Sequence, residues 1–191
     1  MKTSRLEAFT DGVMAVALTI MVLELKPPHQ TSWAALLVLW PVALSYILSF
    51  IYIGIYWNNH HHMMHATEHI NGRVLWANLF LLFWITLVPF TTAWMSENRF
   101  ASITVTVYGF VLLMASFAFL LLQREILLCN GPESRVARAL GRDAKGKLSS
   151  ALYIIALVAA AWLPWFSCLL YAAVAVIWLV PDRRFEKVLS E

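Results

Sequence analysis

Apolar residues in this chain gather into long runs that end at prolines or charged clusters; they do not alternate with polar positions as in a half-buried strand. A membrane span needs roughly 17–25 mainly apolar residues, and six runs are candidates: residues 9–25, 34–57, 74–95, 101–123, 148–163 and 166–180. Pro27 and Pro28 stop the first, Pro41 marks a kink in the second, and Pro89 lies near the outer end of the third. The last two are short and separated only by Pro164 and Trp165, so they read as a tight membrane hairpin. The first run contains Asp11 and reaches Glu24-Leu25-Lys26 without a small-x-small cleavage pattern, so it reads as a retained helix, not a signal peptide. The expected fold is all-α: a six-transmembrane-helix bundle forming a single domain over residues 1–191.

Basic residues set the orientation. With the N-terminus inside, the cytoplasmic side collects Lys2, Arg5, Arg73, Arg124, Arg135, Arg138, Arg142, Lys145, Lys147, Arg183, Arg184 and Lys187, and the outside keeps only Lys26 and Arg99. Both termini are therefore expected in the cytoplasm of a multi-pass plasma-membrane protein. The longest loop, residues 124–147, is basic and is expected to sit on anionic headgroups.

Composition agrees with this pattern. Hydrophobic residues make up 61% of the 191 and charged ones only 13%, about half the share of a soluble domain; mean hydropathy is +0.70. Nine Trp suit a protein with many positions at the membrane interface. The net charge of +3 is already explained by the positive-inside topology, so no nucleic-acid partner is inferred. Cys129 and Cys168 have no metal spacing, and Cys129 falls in the cytoplasmic loop, where a disulfide is not expected.

The first helix carries most of the information. Ser4-Arg5-Leu6-Glu7 fits a capping box, which would start the helix in the cytoplasm. At about 100° per residue, Gly12, Val16, Thr19, Ile20 and Leu23 share one stripe, and Asp11 lies about 140° from Val16. An ionisable group within a span needs a partner. The inner end of the second helix (Trp57, His60, His61) and Asn78 of the third reach the level of Asp11. Asp11 is therefore expected to face its own bundle and accept hydrogen bonds from some of Trp57, His60 and Asn78, leaving the stripe to face lipid or other helices.

Arg5-Leu6-Glu7-Ala8-Phe9-Thr10-Asp11 resembles the Arg-x-x-x-Phe-Ser-Asp signature of the potassium channels related to transmembrane protein 175, with Thr in place of Ser at position 10. Trp57-Asn58-Asn59-His60-His61 resembles that family's Trp-x-x-His-His, and Asn78 and Pro89-Phe90 resemble its third helix. The resemblance implies a homotetramer of single six-helix repeats, of prokaryotic origin, in which four copies of the first helix line a central pore. It places the constriction at Val16, Ile20 and Leu23, a ring of potassium-favouring hydroxyls at Thr19, and a structural network at Arg5, Phe9, Thr10, Asp11, Trp57, His60, His61 and Asn78. The expected function is passive, potassium-favouring cation conduction, with potassium as the permeant ion and no bound cofactor or metal. Branched apolar rings can close such a passage by dewetting.

Other patterns point less far. Thr104-Val105-Thr106-Val107-Tyr108-Gly109 lacks the Gly that a carbonyl filter carries between Val and Tyr, and is expected to be ordinary helix. His60-His61-His62-Met63-Met64-His65 and His69 are soft and borderline metal ligands, and as imidazoles they could confer sensitivity to cytoplasmic acidity. Glu24 is placed to make a carboxylate ring at the outer mouth, to pair with Lys26, or to snorkel as a surface charge. No nucleotide loop, nucleophile elbow or His-Glu-x-x-His appears, so no enzyme is inferred. Two readings compete with a channel: a membrane metal- or haem-binding protein using residues 60–69, and a non-transporting scaffold.

Overall fold

The computed structural model describes residues 3–140 and 144–179, and the regular structure among them is entirely helical. The elements are α1 (Ser4–Leu23), α2 (Trp33–Leu37), α3 (Trp40–His65), α4 (Gly72–Thr86), α5 (Val88–Glu97), α6 (Ser102–Asn130), α7 (Arg135–Leu140), α8 (Ala144–Ala159) and α9 (Pro164–Leu179). Four stretches are long and apolar enough to cross a membrane: Ser4–Leu23, Trp40–His65, Gly72–Glu97 and Ser102–Asn130. Residues 2, 142, 180, 183, 184 and 187, which entered the charge and span readings, lie outside the described residues.

Several boundaries differ from the sequence reading, each for a local reason. Pro41 does not merely kink the second span. It sits in the first turn of α3, where its missing N–H costs nothing, and the five-residue α2 precedes it. Ser32 caps α2, its hydroxyl accepting from the Ala35 amide at 3.2 Å. Pro89, the second residue of α5, interrupts the third span, so that α4 ends at Thr86 and α5 restarts at Val88. α3 continues to His65, and α6 continues to Asn130. Cys129 thus lies in a helix, and most of the expected loop is α6, α7 and α8. α6 extends because Leu122 and Ile126 keep its buried stripe going past Arg124 and Glu125. It stops at Gly131, whose φ of 85° only glycine adopts at little cost. Thr3, not Ser4, precedes α1, and no side-chain capping bond forms there.

α6 forms the middle of the bundle, packing on α4, α5, α8 and α9, while α1 lies at one edge against α3, α4 and α5. Half of the apolar window of α6 is enclosed, against 28% for α1. α8 and α9 form an antiparallel hairpin. Ser167 donates to the Ala156 carbonyl at 2.7 Å near its tip, and Trp178 Nε1 donates to Ser149 Oγ at 2.7 Å near its open end. Gly109 lets α9 approach α6, because a Cβ there would overlap the Tyr171 hydroxyl. The segment 104–109 lies inside α6, and Thr104 and Thr106 donate to carbonyls three and four residues back.

The two ends of the bundle differ. One gathers the start of α1, the end of α3, the start of α4 and the end of α6. It is tied by Asn130, whose side chain accepts from the His69 amide at 2.9 Å and donates to the His69 carbonyl at 2.9 Å. Arg5, Arg73, Arg124, Arg135 and Arg138 belong to elements that meet there. At the other end Phe100 (φ 60°) and Arg99 (φ 48°) make the α5–α6 turn in the left-handed region, at a cost of about 1–3 kcal/mol each. The Phe100 ring packs there against Trp40 and Trp165, at centroid distances of 6.0 and 4.7 Å.

Candidate functional site

α1 has two unlike faces. Leu6, Thr10, Met14, Ala17 and Met21 are buried against the bundle, at the spacing of one helical stripe. On the opposite side Phe9, Val16, Ile20 and Leu23 are exposed, Leu23 at 73%. Gly12, Val16, Ile20 and Glu24 line one wall of a groove of about 850 Å³. Pro89, Phe90 and Trp94 of α5 line the other.

The buried face is anchored at the basic end by two layers of polar contacts. In the outer layer Trp57 Nε1 donates to Asp11 Oδ1 at 2.9 Å, and His61 Nδ1 lies 3.0 Å from Glu7 Oε1. α1 and α3 run antiparallel, so one turn along α1 from Glu7 to Asp11 matches one turn back along α3 from His61 to Trp57. In the inner layer Asn78 Nδ2 donates to Thr10 Oγ1 at 2.9 Å, and Asn78 Oδ1 lies 2.9 Å from His60 Nε2. An amide oxygen can only accept, so His60 Nε2 carries the proton of that bond. Thr10, His60 and Asn78 are each fully buried. Of the three partners expected for Asp11, Trp57 alone bonds it. Asn78 donates to Thr10 instead, one residue earlier and about 100° round the helix, and His60 bonds Asn78. Arg5 and Phe9 are exposed and stand outside both layers. Glu7 belongs to the cluster although the sequence reading used it only as a capping residue. The signal was the matched i, i+4 spacing of Glu7–Asp11 and Trp57–His61.

On the exposed face, Thr19 Oγ1 donates to the Val16 carbonyl at 2.9 Å. That bond uses its only proton, so the oxygen presents lone pairs to whatever lies beside the helix. Glu24 is exposed, and among the described residues it forms no ion pair with Lys26. Glu97 of α5 lines the same groove. Farther down α3, His61 stacks on Trp57 at 6.0 Å and on His65 at 6.1 Å. Among the described residues no three His, Cys, Asp or Glu side chains gather as metal ligands do.

Residues 5–89 match the family model "Endosomal/lysosomal potassium channel TMEM175". A potassium channel of Chryseobacterium sp. (strain P1-3) is 45% identical over 191 residues, covering 100% of both chains. One from Streptomyces collinus is 33% identical over 126 residues, covering 62% of this chain and 61% of its own. A solved structure, described as a lysosomal potassium-selective channel TMEM175 homolog from Chamaesiphon minutus, superposes with a TM-score of 0.83 at 28% identity. The match covers 94% of this chain and 97% of that one.

Proposed function

This chain belongs to the TMEM175 family of potassium channels, and from that premise we propose that it is a passive, potassium-favouring cation channel whose first helix lines the pore. The full assembly in this reading is a homotetramer in the plasma membrane. Each subunit is one domain of six spans, α8 and α9 supplying the last two, with both termini in the cytoplasm. It needs no cofactor, and potassium is the permeant ion. The relatives are named as channels, not enzymes, and favour neither a metal- or haem-binding protein nor a scaffold.

The observation that carries the reading is the exposed stripe of α1. Val16, Ile20 and Leu23 are large apolar side chains left uncovered by their own subunit, on the least enclosed of the four long apolar spans among the described residues. Four such stripes around an axis make stacked apolar rings, which exclude water when narrow and admit it when widened. Between the rings of Val16 and Ile20, Thr19 brings an oxygen whose proton is already given to the Val16 carbonyl. Four of these oxygens replace part of an ion's hydration shell without repelling it with a proton. Asp11 contributes no ring in this scheme, because its carboxylate is turned to Trp57; with Thr10, Asn78, His60, His61 and Glu7 it fixes the rotation of α1. Glu24, free of Lys26, raises the local cation concentration at the outer mouth.

Flux into liposomes tests the proposal. Purified protein should pass potassium faster than sodium. Thr19→Ala should lower that preference by about tenfold, the effect of about 1.4 kcal/mol of differential binding, whereas Thr19→Ser should keep it. Equal passage of both ions by the wild type would overturn the assignment. An unchanged ratio in Thr19→Ala would remove Thr19 from its role.

A further inference from the structure

A second groove, of about 750 Å³, lies between α4 and α6 near the basic end of the bundle. Its wall includes Arg73, Trp76, Phe80, Leu121 and Glu125, and no residue of α1. The wall changes character with depth. Arg73 lies in the first turn of α4, and Glu125 lies near the end of α6, where the apolar spans give way to charge. Trp76 is 74% exposed one turn deeper. Phe80 and Leu121 then continue the trough about 6–10 Å further into the apolar layer. Among the described residues neither Arg73 nor Glu125 has an ion-pair partner. A cation and an anion thus stand unpaired on one groove, above an indole and an apolar floor.

We propose that this groove holds one phospholipid with a zwitterionic, primary-amine headgroup. The guanidinium of Arg73 takes the phosphate, since its planar fork matches phosphate oxygens. The Glu125 carboxylate takes the ammonium. Trp76 sits at the level of the glycerol esters, the usual depth of interfacial indoles, and an acyl chain lies along Phe80 and Leu121. The charge pair selects the class. An anionic headgroup would satisfy Arg73 but bring negative charge towards Glu125. A choline headgroup would offer the carboxylate no N–H. The assignment does not depend on conduction, because none of these residues belongs to the pore face proposed above.

Native mass spectrometry of the full-length protein from detergent provides the test, with phosphatidylethanolamine, phosphatidylcholine and phosphatidylglycerol added separately. The wild type should retain phosphatidylethanolamine best, by about fivefold, the effect of one well-placed charge at a membrane surface. Arg73→Gln should lower retention of all three lipids by about the same factor. Glu125→Gln should abolish the preference for phosphatidylethanolamine over phosphatidylcholine and strengthen phosphatidylglycerol. Arg73 is exposed and Glu125 half-buried at the groove wall, and neither has an ion-pair partner among the described residues, so both variants should fold. Unchanged ratios in Glu125→Gln, full retention in Arg73→Gln, or best retention of phosphatidylglycerol by the wild type would each overturn the proposal. So would a disulfide between chains through Trp76→Cys in a chain lacking Cys129 and Cys168, since that result would put a second copy in the groove.

Discussion

Replacing Asn78 by Leu removes the polar centre of the α1 anchor while nearly preserving its volume. The side chain is fully buried and makes two bonds of 2.9 Å, one to Thr10 and one with His60. Hydrogen bonds between membrane helices are worth about 0.6 kcal/mol on average and about 1.7 at most, so losing two costs about 1–3 kcal/mol. His60 Nε2–H is then buried without an acceptor, which adds about 1–3 kcal/mol. The hydroxyl of Thr10 escapes most of that penalty because it can turn to a carbonyl of its own helix. The expected loss is therefore about 2–6 kcal/mol, borne mainly by the histidine side. Thr10→Val should cost only about 1 kcal/mol. In the double variant the Thr10–Asn78 bond is not lost twice, so the costs should fall short of additive by about 0.5–1 kcal/mol. Reversible unfolding in mixed micelles, followed by tryptophan fluorescence, measures all four corners of this cycle. If Asn78→Leu lies within about 0.5 kcal/mol of the wild type, a surface-like effect, the anchor is not energetically coupled and the reasoning fails.

Other variants probe other parts of the fold. Gly109→Ala should destabilise by about 1–3 kcal/mol through overlap with Tyr171, and Tyr171→Leu added to it should recover part of that loss in the same unfolding assay. Glu24→Gln should reduce single-channel potassium conductance by about twofold in dilute salt and leave it unchanged near 1 M, where the Debye length is only about 3 Å. An equal conductance at low salt would show that the carboxylate does not act on the permeant ion.

The long spans were legible because nothing but a membrane accommodates such runs, and Gly72–Glu97 and Ser102–Asn130 begin within two residues of where their hydropathy starts. The ends were harder to read. His61, His65, Arg124 and Glu125 look like loop residues by polarity, yet α3 and α6 carry them as helix beyond the apolar layer, since Met63, Met64, Leu122 and Ile126 keep the buried stripe in phase. The break at Leu87 is a matter of one residue and one proline. In the polar cluster, the bond from Trp57 to Asp11 followed from the requirement that a charge inside a span find a donor at its own depth. The Thr10–Asn78–His60 chain did not, because a rotation of about 100° decides whether Asn78 meets residue 10 or 11. Hydropathy carries no information on that angle.

The polar anchor grips α1 only near its start. Thr10 is the last residue of α1 on the Asn78 side with such a bond, and the helix runs free of comparable ties to Leu23. Beyond Thr10 the buried side of α1 is held by the apolar packing of Met14, Ala17 and Met21, and thirteen residues of helix span about 20 Å, a long lever about the polar end. A tilt of about 5° about that end moves Leu23 sideways by nearly 2 Å while Thr10 hardly shifts, by the same rise per residue. In such a tilt displacement grows along the helix, smallest at Val16 and largest at Leu23, so the row farthest from the basic end would open first.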